Sequence, residues 1–236
     1  MIVYYKTAPV KISSFWPRLK SLMPTVMMVV GASLLISVGY PILSYELTIG
    51  LKSQRQNVIS PVPRESLAQT APVLAQTDYN QVSSWFNFSQ KQTFLTPSNI
   101  THYTLSIPKL RIKDALVTIG GDNLWTSLIQ YGGTANPGEA GSVVIFGHSI
   151  LQQFYNPSSY RAIFSLIPTL KSGDEILISF DGIIYKYIVY DYFEVAPGEI
   201  DVLEQQYDHR DLTLVTCVPP GTMLRRGIVK AKLVEI

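Results

Sequence analysis

Residues 21–45 contain no charged side chain. They read "SLMPTVMMVVGASLLISVGYPILSY". As a helix rising about 1.5 Å per residue, the run is long enough for the ~30 Å hydrocarbon core of a bilayer. Pro24 suits the first turn of such a helix, and Pro41 kinks or ends it. The flank before the run carries Lys6, Lys11, Arg18 and Lys20, and the first carboxylate in the chain is Glu46. Positive charge stays on the cytoplasmic side. The expectation is therefore a cytoplasmic segment over 1–21, a single transmembrane signal-anchor helix over 22–47, and the remainder outside the cell membrane. Two other readings stay open. A cleaved signal peptide usually has a shorter apolar core, and no small-x-small cleavage site follows closely. A buried core helix is the third.

Residues 48–99 read as a flexible extracellular linker. They are rich in Gln, Ser, Thr, Asn and Pro, as in "SPVPRESLAQTAPVLAQT", and keep neither helical nor strand periodicity. Such a composition buries too little apolar surface to offset its ordering entropy. The patch "WFNF" at 85–88 is an exception that could pack on the domain or on the membrane. Asn87-Phe88-Ser89 and Asn99-Ile100-Thr101 match the glycosylation triplet, a pattern common by chance. A net charge of +2 gives no argument for a nucleic-acid partner. A single Cys excludes an internal disulfide.

From about residue 100 the texture changes to short strands. "TLSIPKLRI", "ALVTI", "GSVVIFGH", "DLTLVTC" and "RGIVKAKLVEI" are strand candidates. "DEILISFDGIIYKYIVYDYFEV" reads as a hairpin turning at Asp181-Gly182. "DNLWTSLIQ", with Asp122 as cap, "YRAIFSLIPTL" and "DVLEQ" have helix-like spacing. Many short strands with one or two small helices predict a mostly β, closed barrel over 100–236.

The chain's only cysteine, Cys217, ends an apolar strand and is followed by a proline-rich turn and two arginines. A lone strand Cys is usually a small core hydrophobe. A thiol with a reference pKa of about 8.5 becomes a nucleophile only beside a cation or a base. His148 ends another apolar strand after a glycine, a rim position. If the last two strands are antiparallel neighbours, Cys217 meets the arginines at one rim. Arg226 shares parity with Ile228, Lys230 and Lys232. Gly227, Val229, Ala231 and Leu233 form the core face, so Arg226 points away from the core.

"TLVTC" at 213–217 resembles the Thr-Leu-x-Thr-Cys signature of sortases, bacterial surface transpeptidases. "CVPPGTMLRRGIVKA", "PGEAGSVVIFGHS" and "SIPKLRI" resemble the same family's remaining segments, in the family's order of His, Cys, Arg. The resemblance covers about residues 103–236 and implies a sortase-type β-barrel. It implies Cys217 as nucleophile on the threonyl carbonyl of an LPxTG-like sorting signal. It implies His148 as general acid and base, and Arg226 as the residue that positions substrate and stabilises the oxyanion. Thr216, just before the nucleophile, would support the oxyanion. Arg225 competes for the arginine role, but Arg226-Gly227-Ile228-Val229 fits the family register without a gap. Gly227 departs from the bulkier residue usual there. The partners implied are surface proteins with such a signal and an amine acceptor, a cell-wall peptide or a protein lysine. The "RGIVKA" ending and the lack of long insertions lean towards a housekeeping, class E- or D-like enzyme rather than a pilin polymerase.

No cofactor is expected. Some sortases bind calcium after the long hairpin, but Glu194, Glu199 and Asp201 read as solvated loop charges. His148, His209 and Cys217 fit no common zinc spacing. His102 and His209 sit in polar stretches and read as surface residues. Two rival functions remain: a cysteine peptidase that uses water as acceptor, and a non-catalytic binding module on the same barrel.

Overall fold

The structure is a computed structural model and describes residues 16–47, 80–85, 100–199 and 201–234. The extreme N-terminal segment, most of the expected linker, the first glycosylation triplet and Asn99 of the second lie outside the described residues. The chain divides into two compact units, Met1–Pro41 and Ile42–Ile236.

Helix α1 runs from Trp16 to Tyr45, so most of it lies in the first unit and its last residues, from Ile42, belong to the second. Its Met23–Tyr45 stretch has a mean hydropathy of 2.1 and is long and apolar enough to cross a membrane. Pro24 and Pro41 both lie inside the helix rather than at its start or end.

The second unit is a closed barrel of eight strands. In chain order they are β1 (His102–Ile107), β2 (Ile112–Ile119), β3 (Leu128–Gln130), β4 (Gly141–Phe146), β5 (Glu175–Phe180), β6 (Ile183–Val195), β7 (Arg210–Val218) and β8 (Arg225–Val234). Around the barrel the order is β1-β2-β3-β4-β7-β8-β6-β5. The pairs β2–β3 and β4–β7 are parallel, and the others are antiparallel. The expected hairpin is present. Asp181 and Gly182 both have positive φ, 52° and 75°, which a two-residue turn matched to strand twist requires. The expected small helices are short 3-10 turns, Ile167–Thr169 and Asp201–Leu203. Pro168 has no N–H to extend the first of them. "DNLWTSLIQ" makes a turn and then β3, because Leu128, Ile129 and Gln130 are all buried in sheet pairings.

β4 and most of β7 are buried on both faces. Inner residues such as Val143, Ile145, Leu212, Leu214, Val229 and Ala231 fill the barrel. Outer residues Val144, Phe146, Val215, Cys217 and Ile228 form a second apolar cluster with Val82, Trp85, Leu124 and Ile129. A parallel pair with both faces covered reads as continuous apolar sequence, and "SVVIF" and "LTLV" do. The cover comes from within the expected linker. Residues 80–85 form a 3-10 turn, Val82–Ser84, and a bridge from Gln81 to Asn123. Asp122 holds this segment by accepting hydrogen bonds from the Ser83 N–H at 2.8 Å and hydroxyl at 3.0 Å.

Candidate active site

Two neighbouring strands, and the segment that follows a third, bring the sequence-predicted residues together. On β7 and β8, Cys217 pairs directly with Arg226. On the other side of β7, Phe146 of β4 is in register with Val215. The Gly147 N–H donates to the Val215 carbonyl at 3.1 Å. Continued by two residues, that parallel register sets His148 beside Cys217. The Ser149 hydroxyl, one residue on, donates to the Cys217 carbonyl at 2.5 Å. His148, Cys217 and Arg226 thus occupy one rim of the sheet, with strands spaced about 4.8 Å apart.

Thr216 points to the opposite face of β7 from Cys217, since strand residues alternate. Its hydroxyl donates to the Gly147 carbonyl at 2.8 Å. This bond ties the end of β4, where His148 starts, to the strand of Cys217. Gly147 is packed just as closely. A Cβ there would lie 2.4 Å from Phe164 Cδ2 and 2.7 Å from Leu128 Cδ2. Overpacking of this kind costs about 1–3 kcal/mol. Gly147→Ala should therefore lower the melting temperature of the full chain by about 4–10 °C, read by a thermal melt.

Cys217 is 5% exposed. Burial pushes its thiol up to about 11, against the pull of the Arg226 charge. At neutral pH the resting site holds a protonated thiol. Arg226 is 1% exposed, and its guanidinium donates hydrogen bonds to three carbonyls: Trp85 at 3.1 Å, Met223 at 3.3 Å and Arg225 at 3.4 Å. Among the described residues no carboxylate forms a salt bridge with it, and its Nε has no hydrogen-bond partner. A buried guanidinium held by neutral acceptors is available to a developing negative charge. Arg225 faces the other way and is spent on ion pairs with Glu194 at 2.7 Å and Glu46 at 2.6 Å. The parity argument for Arg226 over Arg225 agrees with this register.

Trp85 packs on the domain, one of the two placements open to the "WFNF" patch, but the sequence reading missed it and Trp125 as neighbours of the site. Trp85 is 1% exposed. Its ring meets Phe146 edge-on at 5.7 Å and His148 at 6.0 Å, and it lies 5.3 Å from the Arg226 guanidinium. Trp125 approaches His148 at 5.8 Å and carries Arg161 over its face at 4.1 Å. The imidazole is thus flanked by two indoles, one of them buried. An aromatic patch inside a polar tether was the available signal for Trp85. The continuous apolar outer face of β4 and β7 was the signal that something covers it.

The remaining candidates lie elsewhere. His102 and His209 are exposed, as expected. Glu194 is not a solvated loop charge. It lies in β6, its side chain is 2% exposed, and it is paired with Arg225. Glu199 and Asp201 are exposed.

A family model described as "Sortase domain" matches residues 105–234, more than half of the chain. Among solved structures, sortase C-1 from Actinomyces oris is 26% identical with a TM-score of 0.51, covering 59% of this chain and 77% of its own. A lid mutant of sortase A from Corynebacterium diphtheriae is 27% identical with a TM-score of 0.50, covering 58% and 72%. A sortase D5 transpeptidase from Clostridium perfringens is 30% identical over 57% of this chain and 79% of its own, with a TM-score of 0.49. No curated protein matches the chain.

Proposed function

The chain belongs to the sortase family, and from that premise we propose that it is a membrane-anchored cysteine transpeptidase acting on surface proteins with an LPxTG-like signal. The observation that carries this reading is the pairing of Cys217 with Arg226 across β7 and β8, with His148 two residues beyond the end of the neighbouring strand β4. The Cys217 thiol gives its proton to His148 as its sulfur attacks the threonyl carbonyl, and Arg226 stabilises the oxyanion. The threonyl–glycyl C–N bond then breaks. His148 gives a proton to the leaving amine, and a thioester to Cys217 remains. The incoming amine attacks the thioester and loses a proton to His148, the C–S bond breaks, and His148 returns that proton to the departing sulfur to restore the thiol. Thr216 contributes by fixing the end of β4 beside the nucleophile. The cycle draws on protein groups alone and needs no cofactor.

The apolar part of α1 that lies in the first unit, residues 23–41, serves as the anchor. The basic flank before it stays in the cytoplasm and the barrel lies outside. The acceptor is a cell-wall peptide amine or a protein lysine.

The test uses the full chain in detergent, a library of LPxTG-type peptides, and oligoglycine or a diamine as acceptor, read by mass spectrometry. The expected result is an acyl adduct on Cys217 that moves to the amine. Peptide hydrolysis unaffected by any amine would replace this reading with a peptidase.

A further inference from the structure

The end of the barrel next to Arg226 is closed by residues that the transfer chemistry does not use. At its centre is Glu194, opposite Gly227 in the β6–β8 register. A carboxylate buried this deeply needs both a cation and hydrogen-bond donors. Arg225 supplies the cation through Nε at 2.7 Å. The Tyr192 hydroxyl donates to Glu194 Oε1 at 2.9 Å, and the Tyr45 hydroxyl donates to the same oxygen at 2.5 Å. The two hydroxyls are themselves 2.8 Å apart. Arg225 reaches further with Nη2, to Glu46 Oε1 at 2.6 Å. Burial, together with Tyr45 and Glu194, pushes the Tyr192 hydroxyl well above its ordinary pKa, so it stays a donor.

Tyr45 and Glu46 therefore complete the partners of a buried acid. Both belong to the same compact unit as the barrel, Ile42–Ile236. Tyr45 is itself buried. The half-exposed Glu46–Arg225 pair alone would contribute little. Its weight comes from Glu194, which would be left short of donors without Tyr45.

Gly227 makes the arrangement possible. A Cβ at this position would lie 2.8 Å from Val218 Cγ1 and 3.1 Å from the Tyr192 hydroxyl. Glycine leaves the space in which Tyr192 crosses β8 to meet Tyr45 and Glu194. The departure from the bulkier residue expected after this arginine has a local purpose.

We propose that Tyr45 and Glu46 are a built-in dock for the β6–β8 rim, which through Glu194 and Arg225 sets the position of Arg226. Tyr45, Glu46, Tyr192, Glu194 and Arg225 are then positioning residues. The link to Arg226 is short, because Arg225 is the first residue of β8 and Arg226 the second. Fixing the Arg225 side chain from two sides fixes the strand start from which Arg226 projects. The positional part of the proposal rests on the reading of Arg226 given above.

Two measurements on the full chain in detergent test it. The first is a melting-temperature cycle of Tyr45→Phe, Tyr192→Phe and the double variant, which removes hydroxyls and nothing else. Each single change should lower the midpoint by about 2–4 °C, and the double change by clearly less than the sum. Strict additivity would overturn the dock. The second compares Glu46→Gln, Arg225→Gln and Arg225→Lys for peptide transfer at a temperature well below each midpoint. The two Gln variants should lose about three- to tenfold in kcat with KM nearly unchanged, and Arg225→Lys should recover most of the loss. Unchanged kcat in both Gln variants would overturn the positioning role. The melting cycle needs no turnover, so a failure of the dock and a failure of the transpeptidase reading show separately.

Discussion

Cys217→Ala abolishes acyl transfer, and Arg226→Ala lowers kcat by about 10²–10³-fold, while Arg225→Ala costs only several-fold. The first part follows from the chemistry, since without sulfur no thioester forms. The second follows from where the two adjacent arginines point. Arg226 pairs across the ladder with Cys217, and its hydrogen bonds go to carbonyls. Carbonyls hold a guanidinium without neutralising it, and the cation remains for charge that develops at the reacting carbonyl. Donors aimed at such charge act strongly in a water-excluded site and need no reorganisation when the reaction occurs. Arg225 is neutralised by Glu194 and Glu46. Its removal strands the buried Glu194 carboxylate, so the larger effect of Arg225→Ala falls on the melting temperature. Peptide-transfer kinetics and thermal melts of the two variants separate these roles. An Arg225→Ala variant slower than Arg226→Ala would reverse the assignment.

The contrast between the two arginines is legible in the amino-acid sequence, because it depends only on alternation along β8. So are the hairpin at Asp181-Gly182, the strand that carries Cys217 and the strand that ends two residues before His148. All of these are local patterns with a period of two or a turn of two residues. What the sequence hides is non-local. The Arg226 guanidinium meets the Trp85 carbonyl across 141 positions of sequence, and Tyr45 meets Glu194 across 149. No periodicity in residues 80–85 signals a docked turn, since its order comes from Asp122 and Asn123 rather than from its own composition. Glu194 misleads for a related reason. An acid near the end of a long strand looks solvated until the partners that bury it are known. Gly227 stands out as a departure with no cause in its own strand, and the cause is a tyrosine on the neighbouring one.

Trp85→Ala raises the alkylation rate of Cys217 at neutral pH by about 100-fold or more. The buried indole packs on Phe146, His148 and Arg226, within the same outer cluster as the thiol. With Trp85 in place, burial raises the thiol to about 11 while Arg226 pulls it down. Removing the indole weakens the first influence and leaves the second. The thiol then falls towards or below its reference value of about 8.5. A fall of two pH units or so multiplies the thiolate at neutral pH about 100-fold, and improved access adds to that. Each arm has a signature in the pH profile measured on the full chain with a small thiol reagent. The wild-type rate should keep climbing with pH towards about 11, because the buried thiol gives up its proton only there. The Trp85→Ala rate should level off at lower pH, because Arg226 still favours the thiolate in a wetter site. Trp85→Phe should fall between the two, keeping an apolar ring but less of the cover. If the Trp85→Ala profile coincides with that of the wild type, the thiol is shielded by the barrel rim itself and Trp85 is only a neighbour.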